Sequence, residues 1–263
     1  MTAAFIPPDH EVLAHYRSDQ GDIWISEDIR TESRIYWQEG WCQSESDADG
    51  ISYAPYIHAL FGFLMQTPAG TRPDEPVLVI GCGGGSLATM LDRAERAVEL
   101  VDVNPLAFAI ARQHFGLPSW IPCHLTDGAA CLRGLPATRR FGAIVVDAFR
   151  GDVVPSHLVG AGFLSDAAYR LADDGFLAMN LFEGPGRPDL VGRAAVTAGR
   201  AVTPWGDVRL FEEAEGREGN VLLLAGAVAG LGEPGLLLPP RTMIAETRRS
   251  LERMRFRPVD VTV

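Results

Sequence analysis

The stretch "VLVIGCGGGSLATML", residues 77–91, decides the fold. Four apolar residues run straight into three alternate glycines, Gly81, Gly83 and Gly85, and then into a helix-like segment. A short unbroken apolar run predicts a strand covered on both faces. Glycines placed directly after it let the backbone take positive φ and approach a ligand without an intervening Cβ. The pattern is that of a nucleotide-binding turn. The dinucleotide fingerprint G-x-G-x-x-G has its third glycine where strand and helix pack closely. Here Ser86 holds that position, and the sequence reads G-x-G-x-G. Taken alone, the turn leaves open which nucleotide is held, and whether it is only a strand-to-helix connection.

Downstream the pattern alternates strictly. "AVELVDV" (97–103), "IPCHLTDG" (121–128), "FGAIVVDAF" (141–149) and "FLAMNLF" (176–182) read as strands. Between them "PLAFAIARQHF", "AACLRGL" and "AGFLSDAAYRLADDG" read as helices, the first with Pro105 in its opening turn and the last closed by Gly175 as a C-cap. "DLVGRAAVTAGRAV" follows as another helix. Apolar strands alternating with amphipathic helices predict a parallel sheet covered on both sides. The end departs from this. "DVRLFEE" (207–213) and "NVLLLAGA" (220–227) are strand-like and separated by six residues, too few for a crossover helix, so they should pair antiparallel. A last helix, "RTMIAETRRSLERM", is expected after them. The expected fold is α/β, a Rossmann-like seven-stranded sheet ending in an antiparallel hairpin. That plan resembles the class I S-adenosylmethionine-type transferases.

The first seventy residues read differently. "DIWISEDIRTESRIYWQEGWCQS" alternates Ile23 and Ile25, then Ile35 and Trp37, as short half-buried strands do. "ISYAPYIHALFGFLM" (51–65) has helical spacing, and "TPAGTRPDEP" (67–76) is a proline-rich linker. The division expected is a small β-strand domain over 1–70 and a transferase domain over 71–263.

Composition bounds the function. The 263 residues are 47% hydrophobic, enough for a full core without metal or disulfides. No apolar run reaches the roughly 18 residues that span a bilayer, and the N-terminus lacks a signal pattern, so a cytoplasmic chain with no membrane partner is expected. The formal charge of −11, from 23 basic and 34 acidic residues, disfavours a phosphate backbone and so a nucleic-acid partner. Cys42, Cys82, Cys123 and Cys131 form no C-x-x-C pair and are expected to be buried free thiols, with no metal site.

Three carboxylates sharpen the nucleotide reading. Asp102 ends the second strand of the alternation, 21 residues after Gly81, where an acid can accept both ribose hydroxyls. Asp127 ends the third strand and Asp147 the fourth. Ligands of open α/β sheets bind at these strand ends. Each acid alone could be a helix cap, Asp127 above all, since it precedes "GAACL". NAD would explain neither the hairpin nor Asp127. His157, in the following loop, is either structural, part of a lid or an aid to proton transfer.

These residues resemble a family. "VLVIGCGGGSLATML", "VELVDVNP", "LTDGAACL" and the long run "FGAIVVDAFRGDVVPSHLVGAGFLSDAAYRLADDGFLAMNL" are similar to the polyamine aminopropyltransferases, the spermidine synthase family. "SRIYWQEGWCQSESDADGISY" is similar to that family's small N-terminal β-domain. The likeness runs from about Ile23 to Leu224. It implies that Gly81, Gly83 and Gly85 hold the donor's aminopropyl or methionine-like arm. Asp102 would bind ribose, and Asp127 with Gly128 the adenine amino group. Asp147 would be the catalytic carboxylate, and Gln43 and Tyr53 would line the amine site. The co-substrate implied is decarboxylated S-adenosylmethionine or S-adenosylmethionine itself, the partner a small-molecule amine, the assembly a homodimer or homotetramer. Two departures stand out. Where the family's turn reads G-G-G-D-G, this chain has Gly84. Where its D-S-S-D-P motif has a second acid, this chain has Arg150, with Asp152 displaced in spacing. Methyl transfer to a small anionic acceptor bound by Arg150, or nucleoside binding without catalysis, therefore stand as alternatives. Trp24, Trp37 and Trp41 are expected to pack the small domain or an interface between copies.

Overall fold

The computed structural model describes residues 5–151, 153–184, 190–203, 205–213, 219–257 and 259. The chain opens with four antiparallel strands, β1 (His10–Ser18), β2 (Gly21–Asp28), β3 (Arg34–Gln38) and β4 (Trp41–Ser46), paired in sequence order. The alternation expected of them is realised: Ile23 and Ile25 are fully buried, and with Tyr36 they pack on Ile110 and Phe115 of the larger unit. Trp24 stacks on His15 and Trp37 donates to Ser26 Oγ, whereas Trp41 stands exposed.

The helix α1 (Pro55–Met65) follows, and the apolar alternation then runs β5 (Val77–Ile80), α2 (Ser86–Arg93), β6 (Val98–Asp102), α3 (Ala107–His114), β7 (Cys123–Leu125), α4 (Gly128–Gly134), β8 (Phe141–Val146), α5 (Ala161–Arg170), β9 (Leu171–Glu183) and α6 (Leu190–Val202). It ends with β10 (Asp207–Glu213), β11 (Gly219–Gly226), α7 (Ile244–Leu251) and β12 (Met254–Arg257). Strands β5 to β9 pair in parallel in the order β9-β8-β5-β6-β7, and every residue of β5 and β8 is buried. Strand β11 pairs antiparallel with β9 and with β10, which is the hairpin the short spacing requires. One core layer packs α1, α2 and α3 on one face of the sheet, the other α4, α5 and α6.

Three features differ from the reading of the sequence. Among the described residues the sheet has eight strands, because the chain leaves α7 early and β12 pairs with β10 at the edge. Phe256 draws it there, meeting Phe211 at 5.0 Å and Phe63 at 5.7 Å between ring centroids. Helix α5 ends at Arg170, not at a Gly175 cap, because the buried Arg170 guanidinium ties to the Leu132 and Leu135 carbonyls and Leu171 enters the sheet beside Phe141. Gly175 instead lets β9 press against Gly142, whose carbonyl would lie 3.1 Å from a Cβ. All four cysteines are free, but only Cys82 is buried and Cys42 is exposed.

Helix α1 lies before the expected linker yet packs against the large sheet. Residues 227–243 run back over it. Gly232 exchanges hydrogen bonds with the Gln66 amide, and Pro234 sits where a Cβ on Gly62 would be. The segment then reaches the small sheet, where the Arg241 N–H donates to Asp47 at 2.8 Å. No described helix is long and apolar enough to cross a membrane.

Candidate active site

Three parallel strands end together and are laced there. The Gly81 N–H donates to the Val101 carbonyl and the Asp147 N–H to the Ile80 carbonyl, both at 2.8 Å. Gly81 has φ of 102°, and a Cβ on it would stand 2.1 Å from the Asp147 carbonyl oxygen. Only glycine allows β5 and β8 to come this close, and that approach sets Asp147 at the floor of a cavity of about 610 Å³.

The three acids all reach this cavity. Asp102 accepts from the Cys82 N–H at 2.8 Å and from the Asn104 N–H at 2.7 Å, so the glycine turn and the acid hold each other. Burial nevertheless pushes its carboxyl above the ordinary range. Asp127 caps α4, as its position suggested, accepting from the Ala130 N–H at 2.9 Å. Its other oxygen meets His157 Nε2 at 2.6 Å. Burial pushes the Asp127 carboxyl up, but the Ala130 amide and His157 outweigh it and leave the pKa lowered. Asp147 accepts from the Asn180 amide at 2.8 Å and, more weakly, from the Tyr56 hydroxyl at 3.4 Å. Its carboxyl is raised by burial against those two bonds. Asn180 is itself held by the Asn220 amide at 2.9 Å, so a line of amides runs from β11 through β9 to the acid.

Gly83, Gly128 and Gln43 also line the cavity, and so does Arg150, the residue that departs from the family's motif. A Cβ on Gly128 would lie 2.5 Å from the Ile80 side chain, which explains the bare first residue of α4. The Gln43 amide donates to the Gly151 carbonyl at 3.1 Å and so ties the small sheet to the loop after β8. Two expected residues are elsewhere. Gly85, at φ 73°, begins α2 against Leu117 and does not reach the cavity. Tyr53 is buried with its hydroxyl 2.6 Å from Thr242 Oγ1. Tyr36 of β3 and Tyr56 at the start of α1 line the cavity instead. Asp152 lies outside the described residues.

Gly84 is informative. A Cβ there would face the Phe115 ring at 3.0 Å and the Ser44 Cβ at 3.3 Å, and its N–H donates to Ser44 Oγ. The place an acid would need is filled by a buried aromatic and a serine of the small sheet. On the small-sheet wall stand Gln20, Gln38, Gln43, Ser44 and Tyr36, with no carboxylate among them. Val103, half exposed, and Phe149 give the opposite end an apolar surface for a flat base. Among the described residues no three His, Cys, Asp or Glu side chains gather as a metal site would require.

A parallel sheet closed by an antiparallel hairpin, with a glycine turn and acids at the strand ends, is the fold of the class I S-adenosylmethionine-type transferases. Within that class the resemblance to the polyamine aminopropyltransferases holds. The chain is 29% identical over 147 residues to the polyamine aminopropyltransferase of Vibrio vulnificus, covering 54% of this chain and 48% of that protein. It spans about half the length of the curated relatives it matches. In fold it matches a probable spermidine synthase from Corynebacterium glutamicum with a TM-score of 0.70 at 15% identity, over 95% of this chain and 91% of that one. It also matches a spermidine synthase in complex with the transition-state analogue AdoDATO, with a TM-score of 0.61 at 19% identity, over 82% and 73% of the two chains. No protein-family model matches the chain.

Proposed function

We propose that this chain is a spermidine synthase-like transferase that moves an aminopropyl group from decarboxylated S-adenosylmethionine to an amine. The observation that carries the reading is Asp147: a single carboxylate at the cavity floor, where Gly81 brings two strand ends into contact. On this reading Asp102 faces the donor's ribose. Both its oxygens already accept a backbone N–H, and each keeps a lone pair for a hydroxyl. The base rests between Val103 and Phe149, with Asp127 at its amino edge. Asp147 holds the acceptor ammonium and takes one of its protons. The freed lone pair attacks the methylene carbon on sulfur, the C–N bond forms, and the C–S electron pair passes to sulfur, releasing neutral methylthioadenosine. Asn180 and Tyr56 orient the carboxylate, and burial makes it a better base than an exposed acid. With the reading go a homodimer or homotetramer and a cytoplasmic setting.

The test is the coproduct. Methylthioadenosine released only when decarboxylated donor and amine are both present supports the reading. A second reading, methyl transfer from S-adenosylmethionine, is favoured by one observation, the absence of an acid at Gly84 to meet the donor's ammonium. It is supported instead by S-adenosylhomocysteine. Nucleoside binding with neither product supports a silent relative.

A further inference from the structure

The three carboxylates of the cavity are all placed by the sheet and all engaged. Asp147 is the one that the transfer reading sets against the reacting nitrogen. Tyr56, Gln43, Arg150, Gln38 and Gln20 line the same cavity. None is anionic. Arg150 lies three residues after Asp147, so their Cα atoms are at most about 10 Å apart, the span of a short aliphatic chain. It is exposed to the cavity and forms no ion pair with a described residue. The Gln43 amide fixes this loop by bonding to Gly151, the next residue.

An acceptor with a second ammonium would place that charge against a guanidinium, with only neutral amides around it among the described residues. Like charges facing each other across a site discriminate strongly. A guanidinium beside amide donors is instead a fork for a planar carboxylate. Resting on the transfer reading above, we infer that the acceptor is an amine bearing an anionic group, an ω-amino acid in class. Its amine sits on Asp147 and its carboxylate on Arg150, which makes Arg150 the specificity-determining residue.

The experiment gives the full chain decarboxylated S-adenosylmethionine and three acceptors of similar length: 4-aminobutanoate, 1,4-diaminobutane and butylamine. Methylthioadenosine release reports the rate, and mass spectrometry identifies the alkylated amine. The expected result is a lead of about tenfold or more in kcat/KM for 4-aminobutanoate over the diamine. Arg150→Asp should reverse that order, and Arg150→Gln should bring 4-aminobutanoate level with butylamine. A wild-type preference for the diamine, or an order unmoved by Arg150→Asp, overturns the inference while leaving aminopropyl transfer standing. Release from no amine at all removes the transfer reading and this inference with it.

Discussion

In the eight-stranded sheet, each acid facing the cavity is gripped by backbone N–H groups or by a buried amide, at 2.7 to 2.9 Å. On the four-stranded side, the residues lining the same cavity are three glutamines, Ser44 and Tyr36, and of the glutamines Gln43 reaches across to the other wall. The strands explain the contrast. The central strands β5 and β8 of the parallel sheet are buried along their whole length and cannot shift without breaking two core layers. Strand β1 is largely exposed, and its sheet rests on a small cluster around Ile23, Ile25 and Phe115. On the transfer reading proposed above, the rigid wall would serve the reaction, which every acceptor shares, and the softer wall the recognition of one acceptor among many.

That division can be broken most decisively at Asp147. Asp147→Asn should cut turnover by about 10²–10⁴-fold with donor affinity kept, read by kinetics and calorimetry. Full activity would remove Asp147 from the mechanism. Burial raises this carboxyl above 3.8, so the folded state binds the proton more tightly than the unfolded chain. Stability is therefore lost as pH rises from 3.8 through the folded value, and the neutral variant should show a higher Tm at pH 7. Its advantage should shrink as pH falls toward 3.8. The acid limb of the wild-type rate profile should have its midpoint above that same value.

Gly81→Ala comes next. Its methyl meets the Asp147 carbonyl in a backbone that disfavours side chains, so kcat/KM should fall by about 10²-fold through misplacement of the acid, and Tm with it. Gly134→Ala is the control: nothing lies within 4 Å, and alanine there should be neutral or stabilise by up to about 1 kcal/mol. On the soft wall the effect should be smaller and of another kind. Gln43→Ala should raise the acceptor KM by about tenfold or less and leave kcat nearly unchanged. A large fall in kcat would show that both walls serve the chemistry. His157→Ala should do least. The pair it forms with Asp127 is exposed and contributes no more than about 1 kcal/mol. Removing it should raise the Asp127 pKa, followed by carbon-13 NMR. Asp127 contributes stability above 3.8 that is lost as pH falls through its lowered folded value, and that acid-side loss should become smaller in the variant.

The rigid wall was largely legible in the sequence, because Asp102, Asp127 and Asp147 each follow an apolar strand and the register of a parallel sheet brings strand ends together. What the periodicity could not show was contact between distant segments. Asn180 reads as a lone polar residue in an apolar strand, and its partner Asn220 stands on another strand forty residues away. Gly84 reads as a missing acid until Phe115 and Ser44 are seen to fill the space. Tyr53 stands just before α1 and Tyr56 in its first turn, and only the entry of the chain into α1 tells which of them faces the cavity. Strand β12 is four residues long and follows directly on helical spacing, so its pairing rests on Phe256 finding Phe211.

Tyr53, away from the cavity, has a consequence of its own. It holds Thr242, whose neighbour Arg241 grips Asp47 and Asp49, and the same segment is latched to α1 through Gly232 and Pro234. Residues 227–243 therefore work as the frame of a caliper, with the two walls as its jaws. The opening between the jaws is set from behind, by contacts no ligand touches. Shortening or loosening that frame would change the distance between the two walls while every residue lining the cavity stayed the same.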